Sequence, residues 1–178
     1  MKLTPLAFLT LGMVRLGARS GYAIKKAADA STRFFWPTSL AQVYPELARL
    51  VQAGLLTRHE DPHGERERFA YELTEQGQEV LLAWLCSSHD APTQFRDEGV
   101  LRLFFADALA GEDQLALVQG LRERARRAGD HMREEILPLA ETLEPGGTRY
   151  PALVARLGAD TYAYAERWLA QLEAEMEG

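Results

Sequence analysis

The sequence predicts a mainly α fold with a small β-hairpin, and three observations point to it. Apolar residues recur at steps of three and four through most of the 178 residues. Between Leu55 and Leu73 that rhythm gives way to two short strand-like runs around Asp61-Pro62-His63-Gly64, a composition that makes turns. Just before them, Ser39 to Leu56 reads as an amphipathic helix stopped by Gly54. A helix joined this way to a hairpin is the working half of a winged helix-turn-helix, a module that lays one helix in the DNA major groove. The expected architecture is an N-terminal winged helix-turn-helix plus a C-terminal helical dimerisation domain.

Taken in order, Thr4 caps a first helix with Pro5 at its first position, and Gly17 ends it. A second helix runs from Tyr22 to about Ala30. Arg33-Phe34-Phe35-Trp36-Pro37 is an aromatic connector, because Pro37 disfavours helix for Trp36. The third helix follows, then strands over 55–60 and 66–73 and a fourth helix from Thr74 through Leu85. The polar run from Ser87 to Pro92 breaks the pattern, so the expected domains are 1–88 and 89–178. Beyond it, residues 97–109 read as one helical segment. Residues 112–143 form a long helix whose stripe includes Leu115, Val118, Leu121, Ala125, Met132, Ile136 and Leu139, with breaks allowed at Gly129 and Pro138. The last helix, about Tyr150 to Glu175, carries Leu153, Leu157, Tyr164, Trp168, Leu172 and Met176 on one side. Long single-stripe helices call for a partner, and a second copy of the chain is the simplest one.

Composition narrows the function classes. The net charge is −6, yet residues 1–90 hold ten basic and ten acidic residues, whereas 91–178 hold ten against sixteen. The excess acid lies in the second half, which leaves a neutral first half able to meet phosphates. Basic residues from Arg15 to Lys26 interrupt the apolar start, so it is expected to be a first helix and not a signal peptide. Lone Cys86 has no partner for an internal disulfide, which fits a cytoplasmic setting. The four histidines lack metal-ligand spacing, and Gly146-Gly147 lacks the following Lys-Ser/Thr of a phosphate loop. No metal, cofactor or catalytic role is expected.

On the third helix, 100° per residue puts Leu40, Val43, Leu47 and Leu50 inward. Ala41, Gln42, Pro45, Ala48, Arg49 and Gln52 then face out. Small residues permit close approach, Gln can pair with an adenine edge, and Arg can pair with guanine or grip a phosphate. Thr38 or Ser39 would cap the helix and touch a phosphate. Pro45 removes a helical hydrogen bond, so the helix is kinked there or begins near Tyr44; a kink is the favoured reading. Further phosphate contacts are expected from Tyr22, Lys25, Lys26, Arg66 and Arg68.

With these residues in view, the chain resembles the PadR family of transcriptional regulators. The matching segments are Gly21-Tyr22-Ala23-Ile24-Lys25-Lys26, Phe35-Trp36, Ser39-x-x-Gln42-Val43-Tyr44-Pro45-x-Leu47-x-x-Leu50, Gly54-Leu55-Leu56 and Arg68-x-x-Tyr71-x-Leu73-Thr74-x-x-Gly77, with Trp168-Leu169 near the end of the last helix. The resemblance implies a dimeric repressor on double-stranded operator DNA, held together by its C-terminal helices. It also implies release by a small aromatic or hydrophobic effector or another stress signal. Tyr22, Ser39, Gln42, Tyr44 and Arg68 carry over as DNA-contacting candidates. Phe69 departs from the pattern, since members commonly place a second basic residue there, and the acidic wing turn weakens its hold on phosphate. Phe34, Trp36, Trp84 and Trp168 are the residues expected to line an effector pocket. The rival reading is a winged-helix protein-interaction module without DNA binding.

Overall fold

Thr4 opens the fold: in the computed structural model, which describes residues 3–61, 68–88, 96–142 and 149–177, its hydroxyl accepts from the Ala7 N–H and starts α1 (Pro5–Arg15). Gly17 stops it at φ +95°, a conformation that a side chain would strain. Ser20 then caps α2 (Gly21–Asp29) by accepting from Ala23 N–H. A 3₁₀ turn, Thr32–Phe34, leads into α3 (Leu40–Gln52), which ends before Gly54 at φ +70°. Strands β1 (Leu56–Asp61) and β2 (Arg68–Leu73) pair antiparallel, with Leu56 opposite Leu73 and Glu60 opposite Phe69. Thr74 caps α4 (Glu75–Cys86). The core of this unit is built by Leu11, Ile24, Val43, Leu47, Leu50 and Leu56, all essentially inaccessible.

Two sets of bonds fix where the hairpin stands. The Tyr71 N–H donates to the Arg19 carbonyl at 2.8 Å, tying β2 to the α1–α2 loop. Thr74 donates from its N–H to Leu55 O at 3.2 Å and from its hydroxyl to Gly54 O at 2.7 Å. The hairpin is thereby anchored to the end of α3. At Gly77, the first turn of α4 comes so close to Leu55 O that a Cβ would lie 2.0 Å from that oxygen.

The chain divides into two units, 1–91 and 92–178. In the second, α5 (Glu98–Phe104) is followed by a separate 3₁₀ turn, Ala106–Ala108. The single segment expected over 97–109 is therefore interrupted. Gln114 supplies the cause, since its Nε2 donates to the carbonyls of Ala106 and Leu109 and removes them from helical pairing. Next come α6 (Gly111–His131), a π turn (Met132–Ile136), α7 (Leu137–Glu141) and α8 (Tyr150–Glu177).

The π turn sits just before Pro138, whose missing N–H disturbs the ladder at that point. It also advances the phase of the stripe. Val118, Ala125 and Met132 are buried seven residues apart, which would put Leu139 inside. The extra residue of the wide turn buries Ala140 in its place and leaves Leu139 50% exposed.

Helices α6 and α8 run antiparallel. Glu173 accepts from Gln119 and Arg122, Met132 lies against Gly158, and Arg156 reaches Glu141. The face that α8 turns inward is small: Ala152, Ala155 and Ala159 are buried, with Leu169 further along. Its large apolar residues point the other way, Leu157 being 66% and Tyr164 64% exposed, with Leu153, Trp168 and Met176 also on the surface.

Candidate nucleic-acid interface

The outward side of α3 is defined by what its inward side must bury. Val43, Leu47 and Leu50 lie in the core, and Gln42, Pro45, Ala48 and Gln52 are exposed, as the 100° rotation requires. Leu40 departs from that expectation and is exposed, because the first residue of the helix projects beyond the neighbours that cover Val43. The helix begins at Leu40 and continues through Pro45, so it does not start late at Tyr44. Ala41, whose carbonyl loses its partner at Pro45, lies on the exposed side where water can satisfy it.

Ser39 takes the N-cap position and Gln42 closes the cap. The Ser39 N–H and hydroxyl both donate to Gln42 Oε1, at 3.0 and 3.1 Å. Gln42, expected to face a base, therefore also holds the first turn of its own helix. Thr38, the other expected cap, has its hydroxyl buried and without a partner among the described residues, so it is not presented at the surface.

Arg49 is not a free cation. Its guanidinium is gripped by both carboxylate oxygens of Glu46 one turn earlier, with Nε to Oε2 at 3.0 Å and a second bond from its terminal nitrogen to Oε1. The Glu46 hydrogen bond raises the Arg49 pKa further above its ordinary value. Glu46 is only 8% exposed, so the pair is a tether at the edge of the core. Sequence reading did not single out Glu46. The signal available was its i,i+3 spacing from Arg49.

On α2, Tyr22 is 67% exposed and Lys26 is exposed, while Lys25 is paired with Asp29. Tyr44 is half-exposed, and its ring lies over Gly21, where a Cβ would meet ring atom Cε1 at 2.6 Å. That close approach brings the start of α2 beside the middle of α3 and gathers Tyr22, Lys26, Gln42 and Tyr44 on neighbouring helices. In the wing, Arg66 lies outside the described residues, and Arg68 is described only through its backbone pairing with Asp61. Arg58 stands 4.2 Å from the centroid of Phe69, the residue occupying the position expected to be basic.

The four aromatics expected around an effector are not brought together within one unit. Trp84 stacks on Phe8, with centroids 4.5 Å apart and planes 6° apart. Phe34 and Trp36 belong to the α2–α3 connector, and Trp168 lies on the exposed side of α8 in the second unit. A cleft of 550 Å³ between α5 and α6 is lined by Leu101, Phe105, Leu109 and Leu117, with Glu98 and Arg102 at its edge. Among the described residues, no group of three His, Cys, Asp or Glu could hold a metal ion, and no helix is long and apolar enough to cross a membrane.

Comparison with known proteins follows the same two-unit division. Residues 10–83 match the Transcriptional regulator PadR-like family, and residues 95–177 match the Virulence activator alpha C-term family. The Negative transcriptional regulator PadR of Bacillus subtilis is 30% identical over 127 residues, covering 70% of each chain. The structure is similar to B. subtilis PadR in complex with operator DNA, with a TM-score of 0.86 and 25% identity over 97% of this chain and 99% of that one. It is also similar to the same protein in complex with p-coumaric acid (TM-score 0.79, 23% identity, 97% and 99% covered).

Proposed function

The chain belongs to the PadR-like family of transcriptional regulators, and we propose that it is a homodimeric, non-catalytic repressor that binds a two-fold operator in the cytoplasm. The observation that carries the reading is α3 itself. Its inner face is locked into the core while a capped, polar outer face remains open beside Tyr22 and Lys26 on α2. Gln42 and Ser39 would meet the groove, Tyr22, Tyr44, Lys25 and Lys26 the backbone, and Arg66 and Arg68 the phosphates flanking the wing. Arg49 would act mainly by bracing the helix, since a phosphate must compete with Glu46 for it.

Dimerisation is supported by the large side chains that α8 leaves outside. A stripe containing Leu153, Leu157, Tyr164 and Trp168 is costly to keep in water and suited to a self-complementary contact. An effector of the kind seen with the Bacillus relative, a small aromatic acid, would act by changing the separation of the two winged units. Matching two half-sites about one helical turn apart depends on that separation.

The test is selection of bound duplexes from a random pool by the full-length protein, followed by titration of the selected site at several salt concentrations. A two-fold motif whose affinity falls steeply with salt supports the reading. Failure to enrich any sequence, with no salt-dependent retention of DNA, would favour the protein-interaction module. The internal pairing of Arg49 and Lys25, which leaves fewer free cations, is the observation on that side.

A further inference from the structure

We infer that Gln42 reads guanine through its amide N–H groups alone, because its carbonyl is consumed in closing the cap of the helix that carries it. The inference rests on α3 being the groove helix, as proposed above. An amide oxygen has two lone pairs, and both are engaged here. One accepts the Ser39 N–H at 3.0 Å and the other the Ser39 hydroxyl at 3.1 Å. The adenine pairing expected from the sequence needs that same oxygen to accept from the adenine amino group while the amide donates to N7. Freeing it would undo the first turn of the reading helix as the helix is being held against the groove. What Gln42 has left is Nε2, with two N–H donors, on an exposed side chain in the turn nearest the helix start.

Guanine suits that remainder, since its major-groove edge presents two adjacent acceptors, O6 and N7, and no donor there. Cytosine offers an amino donor and adenine pairs a donor with its acceptor, so each leaves an N–H facing an N–H. The other usual reader of guanine on this helix, Arg49, is held by Glu46. Gln42 is thereby a specificity residue and a positioning residue through opposite ends of one amide group.

Glu at this position separates the two roles. A carboxylate still accepts both Ser39 bonds, so Gln42→Glu keeps the cap while removing every N–H. Gln42→Ala removes both. Bound duplexes would be selected from a random library with the full-length wild type and both variants, and the position that loses its preference in Gln42→Ala marks the base facing residue 42. Guanine is expected there for the wild type. Gln42→Glu should switch it to cytosine, whose amino group can donate to the carboxylate, with roughly ten-fold or greater loss on the guanine site. Gln42→Ala should also melt below Gln42→Glu, the reading that reports the cap. Any base other than guanine in the wild-type motif, or a wild-type motif retained by Gln42→Glu, overturns the inference and leaves the regulator reading standing. A wild type that enriches no sequence overturns both.

Discussion

Gly77→Ala tests how the hairpin is held against the reading helix. A Cβ on Gly77 would sit 2.0 Å from the Leu55 carbonyl oxygen and 3.2 Å from Leu73 Cδ2. Real Cβ atoms do not come within 3.0 Å of such neighbours, so α4 and the α3–β1 junction must separate by about 1 Å. Leu55 O cannot simply retreat, because it accepts the Thr74 N–H and Thr74 is the cap of α4. Overpacking of this kind costs about 1–3 kcal/mol, and the weakened hydrogen bond adds about 1 kcal/mol. Replacing a helical glycine returns about 0.5–1 kcal/mol. The net expectation is a loss of about 2–3 kcal/mol, which for a unit of this size lowers the melting temperature by about 10–20 °C. Thermal unfolding followed by far-UV circular dichroism measures it. Gly12→Ala on α1 is the matched control, since nothing lies within 4 Å of its Cβ, and it should stabilise by about 0.5–1 kcal/mol. A Gly77→Ala protein that melts within a degree or two of the wild type would refute the steric argument. It would also remove the claim that this contact sets the hairpin's position.

Three other expectations follow from the geometry. Leu157→Asp combined with Tyr164→Asp, both on the exposed side of α8, should halve the mass seen by sedimentation while leaving the helical signal unchanged; an undiminished dimer would place the interface elsewhere. Lys26→Ala should weaken all DNA sequences alike and reduce the slope of log affinity against log salt by about 1, read from titrations at several salt concentrations. The third concerns acid. Burial pushes the Asp97 carboxyl up, but the Arg124 guanidinium and the N–H groups of Val100 and Gly99 together outweigh it, so its pKa falls below the ordinary value. A depressed carboxylate stabilises the fold fully above its unfolded pKa of about 4 and loses that contribution as pH falls through the lower folded value. Asp97→Asn should therefore melt lower than the wild type near neutrality, and the difference should shrink as melting curves are taken at increasingly acid pH below about 4.

The helix starts were legible because their chemistry is local. Thr4, Ser20, Ser39 and Thr74 are hydroxyl residues ahead of apolar runs, and the first three turns of bonds each makes reach no further than four residues. The inner face of α3 was legible for the same reason, since rotation per residue alone separates Val43, Leu47 and Leu50 from Gln42 and Ala48. Readings failed where a distant group intervened. Gln114 broke the segment after Phe104 by taking two of its carbonyls, and the turn before Pro138 moved the stripe from Leu139 to Ala140. The effector aromatics could be named from composition, but nothing local says which rings meet, and Trp84 found Phe8.

By itself the sequence determined the order of elements, their caps and the family, because periodicity, hydroxyl caps and motif spacing act within a few residues along the chain. Only the tertiary structure decided which polar groups remain available. Arg49, Lys25 and the carbonyl of Gln42 all read as open contacts in one dimension, and each is engaged in three. The physical reason is that a hydrogen-bonding group has a fixed number of lone pairs and protons. Whether they are already taken depends on side-chain direction and on what the core places within about 3 Å, which spacing does not encode.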